Sequence, residues 1–184
     1  FGVRSIPFCV MFKGGQPVDG FVGALPEAEI RKFLDKHVPS AAEVAAGEEV
    51  QQAEELLAVG DLDTALEKLQ EAVAINPSND AARSDYLRAL LSAGRVAEAR
   101  RAFDPVASKV ALDARLTACG HWLAACERAP SARPIDALAA AIAANKRDFE
   151  ARFELAQIHF AAKNFTGAMD ELLEIVMRDK GWND

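Results

Sequence analysis

Three stretches of this 184-residue chain repeat one pattern of small, apolar and turn-forming residues. They start at residues 56, 90 and 159, and the first two starts lie 34 residues apart. A unit of this length cannot bury a core of its own, so neighbouring copies must stack and cover each other's apolar faces. A helical array is therefore expected over most of the chain. The three stretches are LLAVGDLDTALEKLQEAVAINP, LLSAGRVAEARRAFDPVASKVA and HFAAKNFTGAMDELLEIVMRDK.

The shared positions lie where the packing of a helix pair needs them. Gly60 and Gly94 permit a tight turn between two helices, and the third copy has Lys163 and Asn164 there instead. Small side chains let the helices approach closely, and a larger apolar side chain fills the space beside each of them. With its 34-residue period, this pattern resembles the tetratricopeptide repeat. The small residues are Ala65, Ala99 and Ala168, and the larger ones are Leu69, Phe103 and Leu172.

The second and third copies start 69 residues apart, one more than twice the period. A fourth, degenerate helix pair is therefore expected between them, with helices near 112–128 and 135–146. Pro130 and Pro134 separate these two helices and predict a looser turn than in the other copies. The last stretch leaves apolar residues of its second helix uncovered, so we expect a further C-terminal helix in the intact protein.

Residues 8–22 predict an antiparallel β-hairpin. Residues 8–12 form a continuous apolar run, typical of a strand that is buried on both faces. A helix follows, from Pro26 to a stop before Pro39. One hairpin and one helix bury too little surface to fold alone. Because the chain also begins with Phe1 and not with Met, we expect that an N-terminal half of this domain is absent.

Ile6 and Pro7 precede the hairpin, and Gly23 follows its second strand. Together with the strand, glycine turn, strand and amphipathic helix, these residues are similar to the C-terminal half of a thioredoxin fold. In that family the Ile-Pro bond is cis and its loop faces a catalytic CxxC pair, although Phe8 stands where thioredoxins usually carry Thr. The resemblance implies that Ile6 and Pro7 belong to a substrate-binding loop. This chain has no CxxC sequence, so no catalytic residue is assigned.

Composition and charge restrict the classes of partner. Asp and Glu total 28 against 21 Lys and Arg, which gives a net charge of −7. Such a field repels phosphate backbones and anionic lipid headgroups, so nucleic acid and membrane surfaces are disfavoured as partners. The longest apolar stretch, residues 137–144, is far shorter than the roughly 20 residues of a membrane-spanning helix. Three cysteines without a disulfide-framework spacing favour a reducing compartment.

The candidate reactive side chains are expected in structural roles. Cys119 and Cys126 lie on one predicted helix, about 10 Å apart by helical rise, which is too far for a disulfide. Both are expected in the core, and so is Cys9 on the first strand, although an incomplete domain would leave Cys9 exposed to oxidation. The histidines have no spacing typical of a metal site, and neither a metal nor a cofactor is expected. The histidines are His37, His121 and His159.

Two acidic stretches, residues 48–55 and 170–174, are expected to be solvated helix faces. Some repeats of this kind bind the terminal carboxylate of a partner with Lys and Asn on their concave face. The corresponding positions here hold Val50, Glu54 and Asp85. An acidic, apolar groove would repel a carboxylate, so a carboxylate clamp is disfavoured.

A thioredoxin-like segment followed by four tetratricopeptide-like units resembles the bacterial chaperedoxin family of co-chaperones, and GGQPVDGF and ELLEIVMRDKGWND are especially similar to it. The resemblance implies a cytoplasmic holdase that binds unfolding client proteins, protects their thiols and passes them to the chaperonin GroEL and the DnaK system. We therefore expect a mainly α fold, in which residues 1–39 are the C-terminal part of a thioredoxin-like domain and residues 40–184 are a tetratricopeptide-like α-solenoid. The alternative is a thiol-disulfide oxidoreductase whose repeats recruit substrate proteins. An intact CxxC in the absent half would favour this alternative, and a broken one would favour the holdase.

Overall fold

The structure, a computed structural model, describes residues 2–3 and 5–182, with residues 111 and 112 described by their backbone alone. In this part of the chain a two-stranded hairpin precedes a series of helices. This order confirms the predicted fold class, a mainly α solenoid behind the β-hairpin and helix of a thioredoxin fold. The elements are β1 (Phe8–Lys13), β2 (Gln16–Val22), α1 (Glu27–Asp35), α2 (Ala41–Val59), α3 (Leu62–Ile75), α4 (Asp80–Ser92), α5 (Val96–Phe103), a 3-10 segment (Asp104–Leu112), α6 (Ala114–Arg128), a second 3-10 segment (Ala129–Ser131), α7 (Ile135–Ala144), α8 (Phe149–Ala161) and α9 (Phe165–Arg178).

β1 and β2 form an antiparallel pair in which Phe8 lies opposite Val22. Gly14 and Gly15 make the turn with φ of 59° and 79°, a left-handed conformation that costs glycine little. The prediction of a strand buried on both faces is wrong, and so is the core position predicted for Cys9, which is exposed. The physical reason is that a two-stranded sheet offers β1 a single strand neighbour in the described part of the chain.

Polar side chains determine where the repeat helices begin. At the start of α2, Ser40 Oγ accepts a hydrogen bond from the Glu43 backbone N–H at 3.1 Å. A Glu43 carboxylate oxygen in turn accepts from the Ser40 backbone N–H at 2.7 Å, which completes a capping box. Later helices are capped by short polar side chains, each of which accepts a hydrogen bond from a backbone N–H of the first helical turn. They are Asp61, Asn79, Asp113, Asp148 and Asn164.

The helices stack in the manner of a repeat array. α2 packs against α3, α4 against α5, and α8 against α9, while α2, α4, α6 and α8 contact one another in that order. The turns inside these pairs need a positive φ, which is 85° at Gly60, 72° at Gly94 and 62° at Lys163. Ala65 and Ala99 are fully buried at their crossings, where a larger side chain would separate the helices.

The larger apolar residue of the repeat differs in burial among the copies. Leu69 is 1% exposed and Phe103 is 8% exposed, because α4 packs on α3 and α6 packs on α5. A Cβ added to Gly120 of α6 would lie 2.8 Å from Cζ of Phe103, so the ring occupies space that a side chain would need. The equivalent Leu172 is 40% exposed. Among the described residues α9 packs on α8, and its first residue, Phe165, also meets Trp122 of α6.

The predicted fourth helix pair is correct in its helices and wrong in its pairing. α6 and α7 form where they are expected, but in the described part of the chain α7 packs against α8 and not against α6. Pro130 and Pro134 are the physical reason, because a 3-10 turn and an extended link replace the tight turn of the other pairs. Arg133 holds this link in place: its backbone N–H and its guanidinium donate to the Glu154 carboxylate at 2.6 Å and 2.8 Å.

The buried side chains divide into a large core and a smaller one. The large core extends from α2 to α6 and includes the fully buried Leu87 and Leu123. The smaller core joins α7 to α8 through Leu138 and Leu155. Phe160 of α8 packs against the large core and so connects the two groups of helices.

Candidate protein-binding surfaces

The loop before β1 is the first candidate site. The Ile6–Pro7 peptide bond is cis, and the Pro7 carbonyl oxygen accepts a hydrogen bond from the Gly23 backbone N–H at 2.8 Å. This bond joins the loop to the end of β2. The Ile6 side chain is 87% exposed, so it is free to contact a peptide. Such a contact is the role that the sequence resemblance implies for this loop.

A polar cluster and an aromatic pair hold α1 against the hairpin. The Asp19 carboxylate of β2 accepts a hydrogen bond from Lys36 Nζ at 2.6 Å and lies 2.7 Å from His37 Nε2. The Lys36 and His37 bonds, together with a backbone N–H, hold the pKa of Asp19 well below its usual range. The rings of Phe21 and Phe33 meet edge to face with 5.2 Å between their centroids. His37 therefore positions a helix, as expected for a histidine at a helix end.

A second candidate site, here called the central cleft, is lined by residues of α2, α4, α6 and α8, which lie side by side in the array. Its cavity volume is about 520 Å³, a size typical of binding pockets. Trp122 and Phe160 provide its aromatic part, with 6.2 Å between their ring centroids. Its polar lining includes Glu54, Ser84, Asp85, Arg88 and Arg115.

The central cleft carries charges of both signs. Glu54 and Asp85 line it, as the repeat register predicts, whereas Val50 packs against the large core. Arg88 also lines the cleft and pairs with Asp85 at 2.9 Å. Arg115 adds a cation that has no ion-pair partner among the described residues. The acidic, apolar groove expected from the sequence is therefore wrong, because α4 and α6 bring two guanidinium groups.

Sequence reasoning does not predict that Arg88, Arg115 and Trp122 line the central cleft. A signal for them exists, since helices that run side by side in a repeat array contribute to one common surface. The sequence places α6 in a degenerate unit, so its residues are easily left out of that surface.

A third surface, here called the apolar cleft, lies between α6, α8 and α9 and has a cavity volume of about 500 Å³. The rings of Phe160 and Phe165 meet in it with 5.7 Å between their centroids. Met169 and Leu172 of α9 line its other side and are both exposed. The exposed apolar face of α9 continues past the cleft. That continuation consists of Leu173, Val176 and Met177.

The two helical cysteines have structural surroundings. Cys119 is buried, and its thiol donates a hydrogen bond to the Ser84 carbonyl oxygen at 3.6 Å. Burial raises the pKa of this thiol and that of the half-buried Cys126. A raised pKa lowers the fraction of thiolate, so neither cysteine is activated as a nucleophile.

Carboxylates of both acidic stretches take part in packing, and in residues 48–55 Glu49 pairs with Lys68 at 2.8 Å. Arg152 of α8 is buried and pairs with Glu171 at 2.5 Å and with Glu174 at 3.6 Å. Its Nε also donates to the Lys146 carbonyl oxygen at 3.1 Å. A buried guanidinium needs partners of this kind. The expectation of a solvated face at residues 170–174 is therefore wrong for these two carboxylates.

No metal-binding arrangement occurs among the described residues. Groups of three or more His, Cys, Asp and Glu side chains that could hold an ion are absent from them. His159 lies beside Asn164, whose side-chain nitrogen is 3.3 Å from its Nδ1, and His121 is exposed on α6. Within the same part of the chain, every helix is too short or too polar to cross a membrane.

Comparison with protein families finds the repeat twice. Residues 49–118 and residues 128–184 each match a family model described as tetratricopeptide repeat. Together the matches include all of α3, α4, α5, α7, α8 and α9. The helical array is a tetratricopeptide-type solenoid.

A further part of the chain is similar to thioredoxins. Over 38 residues, 21% of this chain, it is 50% identical to thioredoxin 1 of Nostoc sp. and matches 36% of that protein. Over 38 residues, again 21% of this chain, it is 53% identical to thioredoxin 2 of Chlorobaculum tepidum and matches 35% of it. The chain thus spans about a third of the length of these relatives. These matches support a thioredoxin-like segment joined to tetratricopeptide repeats.

Proposed function

We propose that this chain is part of a co-chaperone that holds unfolding proteins. Residues 1–39 belong to its thioredoxin-like domain, and residues 40–184 form the repeats that bind client proteins. The observation that carries this proposal is the apolar cleft between α6, α8 and α9, which Met169 lines with an exposed side chain. Unfolding proteins expose apolar segments, and contiguous apolar surfaces of folded proteins are sites where such segments bind. The tetratricopeptide matches support a role in binding proteins in general.

The thioredoxin-like segment adds a second part to the proposal. Ile6 and Pro7 contact the client beside the thiol group of the intact thioredoxin-like domain. That thiol protects client cysteines that a peroxide has oxidised to sulfenic acids, because it condenses with each of them to a mixed disulfide and releases water. Bound clients then pass to the chaperonin GroEL and to the DnaK system in the bacterial cytoplasm. This part is supported by the exposed Ile6 side chain and by the identity with thioredoxins.

An aggregation assay tests client binding. A chemically unfolded enzyme is diluted into buffer without ATP, and light scattering is followed with a several-fold excess of this chain. We expect suppression by the unmodified chain and loss of most of it in a Met169→Asp variant, because a charge then enters the apolar cleft. Val59→Asp is the matched control, since Val59 is exposed on α2 and far along the chain from α9.

The proposal fails if the unmodified chain suppresses no aggregation, or if the α9 variant and Val59→Asp suppress it equally well. Transfer to the chaperonin is tested separately by gel filtration of purified chaperonin with the chain and a labelled client. Co-elution of the client that depends on the chain supports transfer, and its absence contradicts that step alone.

The second candidate function is a thiol-disulfide oxidoreductase, which the identity with thioredoxins favours. Insulin reduction distinguishes it from the holdase. The 184-residue chain should show no turnover, because its three cysteines form no CxxC pair. Turnover by the protein of the complete reading frame would support the oxidoreductase, and a complete protein that suppresses aggregation without turnover would support the holdase.

A further inference from the structure

The central cleft contains two charged groups of opposite sign that are available to a ligand. Glu54 of α2 and Arg115 of α6 both line it and are exposed, and neither side chain has a hydrogen-bond or ion-pair partner in the part of the chain that the structure describes. The other two charges of the lining, Asp85 and Arg88 of α4, pair with each other at 2.9 Å. The cleft therefore offers one free carboxylate on the α2 side and one free guanidinium on the α6 side.

A further carboxylate close to Arg115 is already bound. Asp113 directly precedes α6, and its Oδ1 accepts hydrogen bonds from the backbone N–H groups of Arg115 and Leu116 at 2.7 Å and 3.0 Å. It also lies at the positive end of the α6 dipole, which stabilises it there. The guanidinium of Arg115 thus keeps its capacity to bind a carboxylate from a ligand.

Trp122 of α6 adds a buried hydrogen-bond donor to the cleft. Its side chain lines the cleft, the residue is 8% exposed, and its indole Nε1 has no hydrogen-bond partner among the described residues. A buried donor without an acceptor is unfavourable, so a ligand that supplies a carbonyl oxygen would gain a hydrogen bond there. An extended peptide has free backbone carbonyls, whereas those of an α-helix bond within the helix. An extended segment is therefore the form of chain that this donor favours.

The order of the helices indicates how far apart the charges of such a segment must lie. α2 contacts α4 and α4 contacts α6, so Glu54 and Arg115 lie two helices apart. The axes of packed helices are about 8–10 Å apart, so two spacings span roughly 16–20 Å. An extended chain rises about 3.3 Å per residue and presents alternate side chains to one face. A separation of six residues, about 20 Å, satisfies both conditions.

We propose that the central cleft binds an extended segment of a partner protein in which a basic and an acidic side chain, about six residues apart, face Glu54 and Arg115. Apolar side chains between the two charges contact the rings of Trp122 and Phe160. The inference rests on the proposed client-holding function, under which the partner is an unfolding client, and it narrows the substrate class. A ligand with a carboxylate alone would leave Glu54 without a partner, so a segment with both charges is favoured.

Fluorescence anisotropy with three labelled peptides of blocked termini tests the proposal. They share an apolar centre, and the two positions six residues apart hold Lys and Glu in the first peptide, Lys twice in the second and Glu twice in the third. We expect the first peptide to bind the unmodified chain about three- to tenfold more tightly than either of the others, because each of these replaces one exposed ion pair by a repulsion. Added salt should reduce both differences.

Two charge reversals provide the decisive variants. Glu54→Lys should transfer the preference to the peptide with two Glu residues, and Arg115→Glu should transfer it to the peptide with two Lys residues. The double variant, which exchanges the two charges, should again prefer the peptide with one charge of each sign and so shows that the fold is intact. Glu55→Lys and Arg147→Glu make the same changes at exposed positions outside the cleft and should leave the preference unchanged.

Tryptophan fluorescence locates the bound peptide. The chain has two tryptophans, Trp122 and Trp182, and Trp182 packs against Phe149 and Phe153 outside the cleft. In a Trp182→Phe background, the first peptide should change the emission of Trp122. Binding without such a change would place the peptide elsewhere and overturn the proposal.

Equal binding of the three peptides, or Glu54→Lys and Arg115→Glu variants with unaltered preference, also overturns the proposal. Tightest binding of the peptide with two Glu residues would assign the cleft to acidic ligands, and a dimer that the first peptide dissociates would assign it to a second copy; either result contradicts the inference. If the preference is absent while aggregation is still suppressed, this inference is wrong and the holdase stands. If the preference is found but aggregation is not suppressed, the ligand of the cleft stands and the holdase is wrong.

Discussion

Gly47 and Gly60 lie inside α2 and directly after it, and one substitution should have opposite effects at the two positions. Gly47 lies inside the helix, and no atom beyond its chain neighbours and the backbone of its own helix turn lies within 4 Å of an added Cβ. Gly47→Ala should therefore raise the free energy of unfolding by about 1 kcal/mol. Gly60 has φ of 85°, so Gly60→Ala should lower it by about 1–2 kcal/mol. Urea unfolding followed by circular dichroism measures both, and a change of the same sign in the two variants would contradict the assigned turn.

The ion pairs of Asp19 lead to a prediction about how stability depends on pH. Its pKa is lowered in the folded state by Lys36, His37 and a backbone N–H, so its contribution to stability is complete above its unfolded pKa of about 3.9. That contribution is lost as the pH falls from there toward the folded pKa. Asp19→Asn should therefore reduce the melting temperature at pH 7, and the difference from the unmodified chain should narrow below about pH 4. A difference in melting temperature that stays constant from pH 7 to pH 3 would contradict this contribution of Asp19. Asp35→Asn changes an exposed aspartate, and an equal effect of that variant would contradict it as well.

Leu69 of α3 and Leu172 of α9 occupy the same repeat position, but their surroundings differ. α3 is covered by α4, whereas Leu172 lies on the uncovered face of α9. Leu69→Ala should lower the free energy of unfolding by about 2–5 kcal/mol, because it leaves a cavity in the large core. Leu172→Ala should cost less than about 1 kcal/mol, since its side chain loses little buried surface. Chemical denaturation measures both variants, and equal costs would mean that α9 is covered in solution.

The whole molecule has two cores, and this division should appear in hydrogen exchange. Leu138 and Leu87 are both fully buried, but the first belongs to the α7–α8 core and the second to the large core. Leu138→Ala should accelerate amide exchange in α7, α8 and α9 while α2 to α5 stay protected. Leu87→Ala should accelerate exchange in α2 to α6. Equal acceleration throughout the helices by either variant would show a single cooperative unit.

The sequence by itself determined the helices of the repeat and the hairpin. Gly60 and Gly94 act through their own backbone angles, and caps such as Ser40 act within one turn, so these signals can be recognised from a few neighbouring residues. The 34-residue period then predicted stacking, because each unit must cover the next.

The tertiary structure alone decided which distant surfaces meet. It placed α7 on α8, left Cys9 exposed, brought Arg88 and Arg115 into one cleft, and buried Arg152 beside Glu171. None of these four features can be predicted from neighbouring residues in the sequence, because each depends on packing between residues that are far apart in the chain. The apolar cleft is of the same kind: its residues come from three helices, and their common surface exists only once those helices pack together.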